Sequence, residues 1–388
     1  MAVDTPFAGW PVRVCPVRRA IVVTGDDDCN RTGAASIIRS TSRDDKGWND
    51  RGRNTGDDRG SSNVTHEVGD WLRRRSSAAA DWPVDRLVDA KRDTRVSVVL
   101  PALNEAATVG DIVKVIRTEL VERVPLVDEL VVVDSGSTDD TSRVAADAGA
   151  RVVHRDDILP ALPAVRGKGE VLWRSLLVTD GDIVAFVDAD LKDFSADFVA
   201  GILGPLLTDP SVQLVKAMYD RPLEIGDTIV PAGGGRVTEL VARPLLNLHW
   251  PDLAGFVQPL GGEYAARRTL LEQLPFPCGY GIETAMLVDT LRLVGLDAMA
   301  QVDVGVRRHN HQDEAGLGRM AAEILQAVER RLRRGPAGAH PAEPSTVLTQ
   351  FERDEAGFRV RTHDIAARER PPMATVPEYR ARTRLVGR

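Results

Sequence analysis

Three short apolar runs, each ending in a polar or acidic group, constrain this chain more than any other feature. Val96-Ser97-Val98-Val99-Leu100 runs into Pro101, Leu130-Val131-Val132-Val133 into Asp134, and Ile183-Val184-Ala185-Phe186-Val187 into Asp188. Runs of this length and composition, bounded by turn-forming residues, read as buried strands. Helical spacing lies between them. Asn104 is placed to cap a helix whose apolar face is Val109, Ile112, Val113, Ile116 and Leu120, and Thr138 to Ala148 reads as another helix. Arg151-Val152-Val153 adds a further strand. Strand and helix alternate, which predicts an α/β fold with a largely parallel sheet and helices on both faces. Ligands bind such sheets at the carboxyl ends of the strands.

The flanks differ in character. Residues 1–67 are polar, rich in Gly and Ser and without hydrophobic periodicity, so ordering them would bury too little to offset the entropy lost. They are expected to form a disordered extension. Residues 68–211 carry the regular alternation, which loosens over 212–336 into Pro- and Gly-rich loops. A helix from Gly318 to Arg334, striped by Met320, Ile324, Leu325, Val328 and Leu332, should stop at Gly335-Pro336. Residues 337–388 read as a tail wrapping the surface. A net charge of -7 argues against a generic nucleic-acid binder. No apolar run approaches the roughly 18 residues that span a bilayer, and Arg13, Arg18 and Arg19 interrupt the N-terminal apolar residues. No membrane insertion is expected, and the cytoplasm is the simplest compartment. Cys15, Cys29 and Cys278 have neither metal-ligand spacing nor a disulfide pattern.

Polar groups follow three of the strands: Pro101 to Glu105, Asp134 to Asp140, and Asp188-Ala189-Asp190. One such group is commonly a cap; three on successive strands point to a site. Asp188 and Asp190 flank a small residue at the end of an apolar strand. Two carboxylates that close repel unless a cation compensates, and a hard divalent ion such as Mg2+ takes oxygen ligands together with substrate phosphates. The competing reading is a solvated turn. Lys168 between two glycines is either a phosphate-side cation or a solvated lysine. Gly233-Gly234-Gly235 precedes helical spacing at Val237, Leu240 and Val241, where free N–H groups, Arg236 and Thr238 suit a phosphate. A flexible loop before a capped helix would look the same. His309 is a metal ligand or a structural histidine. Glu283 is a sugar-facing carboxylate or a helix-terminal one, and Glu263 reads equally as a buried structural carboxylate.

The segments Val96 to Glu105, Val133 to Asp140 and Asp188-Ala189-Asp190 together resemble those of GT-A glycosyltransferases. Gly167-Lys168-Gly169-Glu170, Gly235-Arg236-Val237-Thr238-Glu239, Pro259 to Ala265, Gly279 to Glu283, Val306 to His309 and Arg370 to Met373 narrow the match. In order and spacing they are similar to glucosyl-3-phosphoglycerate synthases and the related mannosyl-3-phosphoglycerate synthases, from about Trp82 to Met373. The resemblance implies a Rossmann-like, mostly parallel sheet over 68–211 that binds a nucleotide sugar, and a mixed acceptor half over 212–336. It implies a homodimeric enzyme moving glucose from UDP- or GDP-glucose to the 2-hydroxyl of 3-phosphoglycerate, with retention and with Mg2+ or Mn2+. Carried onto this chain, Pro101, Ala102, Leu103, Glu105 and Ser135 would hold the nucleoside. Lys168, Asp188 and Ala189 would lie along the donor, while Asp190 and His309 would hold the metal. Leu260 and Glu283 would meet the transferred sugar. Gly235, Arg236, Val237 and Thr238 would take the acceptor phosphate, with Arg307 nearby. Two positions depart from the pattern: Gly261 where serine is common, and His311 where asparagine is common. The other readings are a transferase using mannose or a different acceptor, and a non-catalytic sugar-nucleotide sensor.

Overall fold

The computed structural model describes residues 59–221, 223–225, 228–230, 235–308, 313–334, 347–354, 357–364 and 368–386. Its centre is an eight-stranded sheet. We number its strands β1 (Ser76–Ala78), β2 (Val96–Ala102), β3 (Glu129–Asp134), β4 (Arg151–His154), β5 (Ile183–Phe186), β6 (Leu214–Asp220), β7 (Tyr264–Arg267) and β8 (Met299–Val306). The spatial order is β1-β8-β6-β7-β5-β2-β3-β4. All neighbours are parallel except β7, which runs antiparallel to β5 on one side and β6 on the other. Phe186 and Lys216 both register against Tyr264.

Alternation along the strands builds two cores. Val98, Leu100, Ile183 and Ala185 face one side, and Val99, Val131, Val184 and Phe186 face the other. The first core is covered by helices α2 (Val84–Lys91), α3 (Val109–Ile116) and α6 (Asp197–Thr208). The second is covered by α5 (Lys168–Val178), α7 (Ile282–Val294) and α8 (Glu314–Arg333). A short helix α4 (Thr141–Asp147) follows β3. Among the described residues, no helix is long and apolar enough to cross a membrane.

Several sequence expectations need correcting. Asn104 does not cap a helix: its backbone is left-handed, φ 59°, and its Oδ1 accepts from the Thr138 amide at 2.8 Å, which ties the two strand-end loops together. Helix α4 begins at Thr141 rather than Thr138, because Asp139 Oδ1 accepts from the Thr141 amide and holds the preceding turn open. Helix α8 begins earlier than Gly318, with Asp313 capping the Gly316 amide at 2.7 Å. The tail is more than a surface wrap. Residues Glu369–Arg370 pair with Phe276–Pro277, and Met373 is fully buried in the second core.

The boundary expected at residue 67 falls inside helix α1 (Arg59–Arg75); residues 1–58 lie outside the described residues. Trp71, fully buried, is what anchors α1. Its indole N–H is shared between the carbonyls of Leu296 (3.1 Å) and Met299 (3.0 Å), and its ring lies 4.8 Å from that of Phe256. Trp71→Ala removes both the apolar burial and the indole donor. It should destabilise the protein by about 3–5 kcal/mol, read from the shift in denaturant midpoint.

Candidate active site

The single reversed strand explains how the site is assembled. β5, β6 and β8 are parallel to one another, so their carboxyl ends open on one edge of the sheet. β7 runs the other way and enters at that same edge. Asp188 and Asp190 therefore follow β5, Arg221 follows β6 and Arg307 follows β8, while Glu263 precedes β7. Four chain segments deliver charge to one place.

Arg307, only 3% exposed, is the hub. Its Nη2 donates to Asp188 Oδ2 at 2.8 Å and to Asp190 Oδ1 at 3.3 Å, and its Nε donates to Glu263 Oε1 at 2.9 Å. Glu263 is completely buried and also accepts from the Tyr219 hydroxyl at 2.7 Å. On the other side Lys168, the first residue of α5, pairs with Asp188 Oδ1 and reaches Glu283 Oε1 at 3.1 Å. Gly262 is required between them, since a Cβ there would strike both Asp188 Oδ2 and Lys168 Nζ. Lys216 is buried beneath, 4.7 Å from the centre of the Tyr264 ring, and donates to the Gly261 carbonyl, which fixes the turn carrying Leu260. Burial pulls this lysine down to about 8.

The electrostatics differ from one carboxylate to the next. Lys168 and Arg307 pair directly with Asp188, Asp190, Glu263 and Glu283, and the charges of Lys216 and Arg221 lie close enough to act on the same cluster. Burial works against ionising Asp188, but Lys168 and Arg307 outweigh it and hold that carboxyl well below its ordinary range. Asp190 is pushed up to about 6 by burial and by Asp188 and Glu263, against the pull of Arg307. Glu105 rises to about 7 through burial and the charges of Asp190, Asp188 and Asp139. Carboxylate oxygens whose ionisation burial resists, Asp190 and Glu105, fit a hard divalent cation, which takes oxygen ligands and favours their charged form. Among the described residues no cluster of three metal-ligating side chains stands complete; His309 lies outside them, as do Gly233, Gly234 and His311.

The sequence-derived residues divide accordingly. Asp188, Asp190, Lys168, Glu283 and Arg307 converge. Ala189 is held against the β2 loop by Thr108, whose hydroxyl donates to the Ala189 carbonyl at 2.6 Å. Pro101 and Ala102 pair with Val133 and Asp134, and the Ser135 amide donates to the Ala102 carbonyl at 2.9 Å. Leu103 is exposed and Glu105 half-buried on the same rim. Leu260 lies on the turn above Lys216. Gly235, with φ 80°, opens a helical stretch through Arg236 and Val237, and the Thr238 hydroxyl is buried without a described hydrogen-bond partner. Arg221 connects this stretch to the hub. Its Cδ lies 3.9 Å from where a Gly235 Cβ would stand, and its charge helps keep Asp188 ionised. Sequence reading missed Arg221, Tyr219 and Lys216. Lys216 and Tyr219 lie on the strand Leu214–Asp220 and Arg221 follows it; the strand carries Lys and Tyr among its apolar residues, so no uninterrupted apolar run announces it.

A mostly parallel sheet with paired aspartates after a central strand and a charged rim at its open edge defines a nucleotide-sugar-dependent transferase of GT-A type. Residues 97–221 match the glycosyl transferase family 2. The glucosyl-3-phosphoglycerate synthase of Mycolicibacterium smegmatis is 48% identical over 306 residues, covering 79% of this chain and 98% of that protein. The crystal structure of mannosyl-3-phosphoglycerate synthase from Rubrobacter xylanophilus superposes with a TM-score of 0.74 at 42% identity, over 79% of this chain and 99% of that one. Glucosyl-3-phosphoglycerate synthase from Mycobacterium tuberculosis, solved with Mn2+, UDP-glucose and phosphoglyceric acid, superposes with a TM-score of 0.66 at 45% identity, over 75% and 94%. The chain belongs to the glucosyl-3-phosphoglycerate synthase family.

The raised Asp190 has a measurable consequence. A carboxyl whose folded-state value lies above its unfolded one costs stability as pH rises through the interval between them, here from 3.8 to about 6. Asp190→Asn removes that cost and keeps an oxygen for Arg307. In EDTA at pH 7.5 the variant should be more stable than wild type by about 1–2 kcal/mol, a figure reduced for the partial exposure of Asp190. Near pH 4 the difference should vanish. Denaturant unfolding at the two pH values makes the comparison.

Proposed function

We propose that this chain transfers the glucosyl group of UDP-glucose to the 2-hydroxyl of 3-phospho-D-glycerate with retention, giving glucosyl-3-phosphoglycerate and UDP. The observation that carries this reading is the convergence of Asp188, Asp190, Lys168, Glu283 and Arg307 at one sheet edge, in a chain nearly half identical to glucosyl-3-phosphoglycerate synthases. The nucleoside lies along Pro101, Ala102, Leu103, Glu105 and Ser135, and the ribose side meets Asp188 and Ala189. Asp190 and His309 would hold Mg2+ or Mn2+. When bound, the ion supplies Lewis-acid neutralisation of the departing diphosphate. Lys168 adds a fixed positive charge beside it.

Leu260 and Glu283 orient the sugar. Glu283 is engaged by Lys168 at 3.1 Å and Asp190 by Arg307 at 3.3 Å, and neither stands out as an unambiguous nucleophile. We read the reaction as attack on the face from which UDP departs. The bond from the anomeric carbon to the diphosphate breaks, the bond to the acceptor oxygen forms, and the acceptor proton passes to the departing diphosphate oxygen. Pre-organised charge stabilises the separating ions without reorganisation.

The acceptor phosphate falls to Gly235, Arg236, Val237 and Thr238, with Arg307 nearby. A buried hydroxyl without a described partner and a left-handed glycine at a helix start suit an anion that brings its own oxygens. The homodimer and the cytoplasmic setting belong to the same proposal. Mannose is the second reading, favoured by the Rubrobacter relative.

The test is a matrix of UDP- and GDP-linked glucose and mannose against 3-phosphoglycerate and glycerate, with Mg2+ or EDTA. UDP-glucose and 3-phosphoglycerate should give the fastest transfer, and EDTA should abolish it. Arg236→Ala should lower kcat/KM for 3-phosphoglycerate by about ten- to a hundred-fold, the loss of one charge-assisted bond. UDP affinity should stay near wild type. Glycerate as good an acceptor as 3-phosphoglycerate would remove the phosphate site from Gly235–Thr238.

A further inference from the structure

Helix α5 begins at Lys168 with no side-chain cap, because the preceding residue is Gly167 at φ 128°. Its first turn is held by other parts of the chain. The Glu170 amide donates to the Cys278 carbonyl at 3.1 Å, and a Cβ on Gly169 would strike the Pro277 carbonyl oxygen. The segment Phe276–Pro277 is in turn paired with Glu369–Arg370, and the Cys278 amide donates to the Arg368 carbonyl at 2.6 Å. Glu283 sits just beyond this segment, at the start of α7. The C-terminal strap thus grips both elements that bring Lys168 and Glu283 together.

Arg370 is the tightest part of that grip. It donates through Nε to Glu170 Oε2 and through Nη2 to Glu170 Oε1, both at 2.7 Å, and through Nη2 to the Pro163 carbonyl at 2.8 Å. Its guanidinium lies 5.4 Å from the Trp173 ring centre, and the Trp173 indole N–H donates to the Pro371 carbonyl at 2.9 Å. Glu170 is completely buried. Arg174 Nε at 2.7 Å, the Val165 amide at 3.4 Å and the Cys278 thiol at 3.4 Å also reach this carboxylate, so losing Arg370 leaves it paired to Arg174 but without its two-point tie to the strap. Lys168 lies two residues away on the same turn.

We propose that Arg370 is a positioning residue for the donor site: by clamping Glu170 it sets the first turn of α5 so that Lys168 stands between Asp188 and Glu283. The inference rests on the donor role proposed for Lys168, but the geometry it concerns can be read without any substrate. The strap therefore acts through Lys168 and touches no reacting atom.

The experiment compares wild type with Arg370→Ala by reductive methylation of the ligand-free protein, with Lys91, Lys168 and Lys216 followed separately by mass spectrometry. Losing a two-point, charge-assisted contact should speed modification of Lys168 by about ten-fold or more while Lys91 and Lys216 change by less than about two-fold. A cavity of about 350 Å³ is lined by Leu159, Trp173, Arg370, Pro371 and Val376, so truncating Arg370 would open the vacated place towards it. Added guanidinium should restore the slow Lys168 rate. Calorimetry should show weaker UDP-glucose binding in step, with the KM for 3-phosphoglycerate unchanged. An unchanged Lys168 rate, or all three lysines rising together, overturns the proposal. Should Arg370→Ala fail to fold, Arg370→Lys, which keeps the charge but loses the fork, carries the same comparison. A wild type that binds no UDP-glucose would instead remove the proposed function, and the lysine rates would still decide the role of Arg370.

Discussion

The guanidinium of Arg307, buried against Asp188, Asp190 and Glu263, is the interaction on which the rest of the site depends. Charges taken out of water are tolerated only when paired and hydrogen-bonded. Here the pairing spans three separate segments, the ends of β5 and β8 and the entry to β7. Lys168 extends it to Glu283 and so to a fourth and a fifth. The fold cannot shift one of these strands without stranding a buried charge. The cluster thus constrains the geometry of the sheet's open edge.

The carboxylates of that network are unequally compensated, and the difference is where structure turns into function. Burial, joined by the neighbouring carboxylates, lifts Asp190 and Glu105 out of the ordinary carboxylate range. In the absence of a ligand this is a cost to stability. A divalent cation and the donors that accompany it would remove the cost, so part of the free energy of ligand binding is relief of repulsion already present in the protein.

The outer parts of the chain contribute by holding elements that the sheet alone leaves loose. Trp71, ahead of the sheet, ties α1 to the carbonyls of Leu296 and Met299 at the start of β8, the strand that ends at Arg307. Arg370, near the other end, ties the start of α5 to the segment before α7. Neither residue lies at the open edge. Both act on the elements whose ends carry the charged groups, which is why a compact nucleotide-binding core needs the chain on either side of it.

Local physics made much of this readable in advance. The strands Val96–Leu100, Leu130–Asp134 and Ile183–Phe186 announce themselves because a strand buried on both faces must be apolar throughout, and a ligand-binding edge requires polar residues where it ends. The resemblance of the motifs singled out Lys168, Glu283 and Arg307, which the fold brings together. The sequence did not reveal that Glu263 would meet Arg307. Their convergence depends on β7 being inserted backwards between β5 and β6, and a four-residue strand, Tyr264-Ala265-Ala266-Arg267, has no pattern that states its direction. Nor did Arg370 declare its partner, since an arginine in a Pro-rich tail looks solvated until the buried Glu170 is known. Apolar periodicity is a property of neighbouring residues and survives in the sequence. The pairing of buried charges is a property of segments as far apart as Glu170 and Arg370, and only the folded chain, by excluding water from both, decides that they must meet.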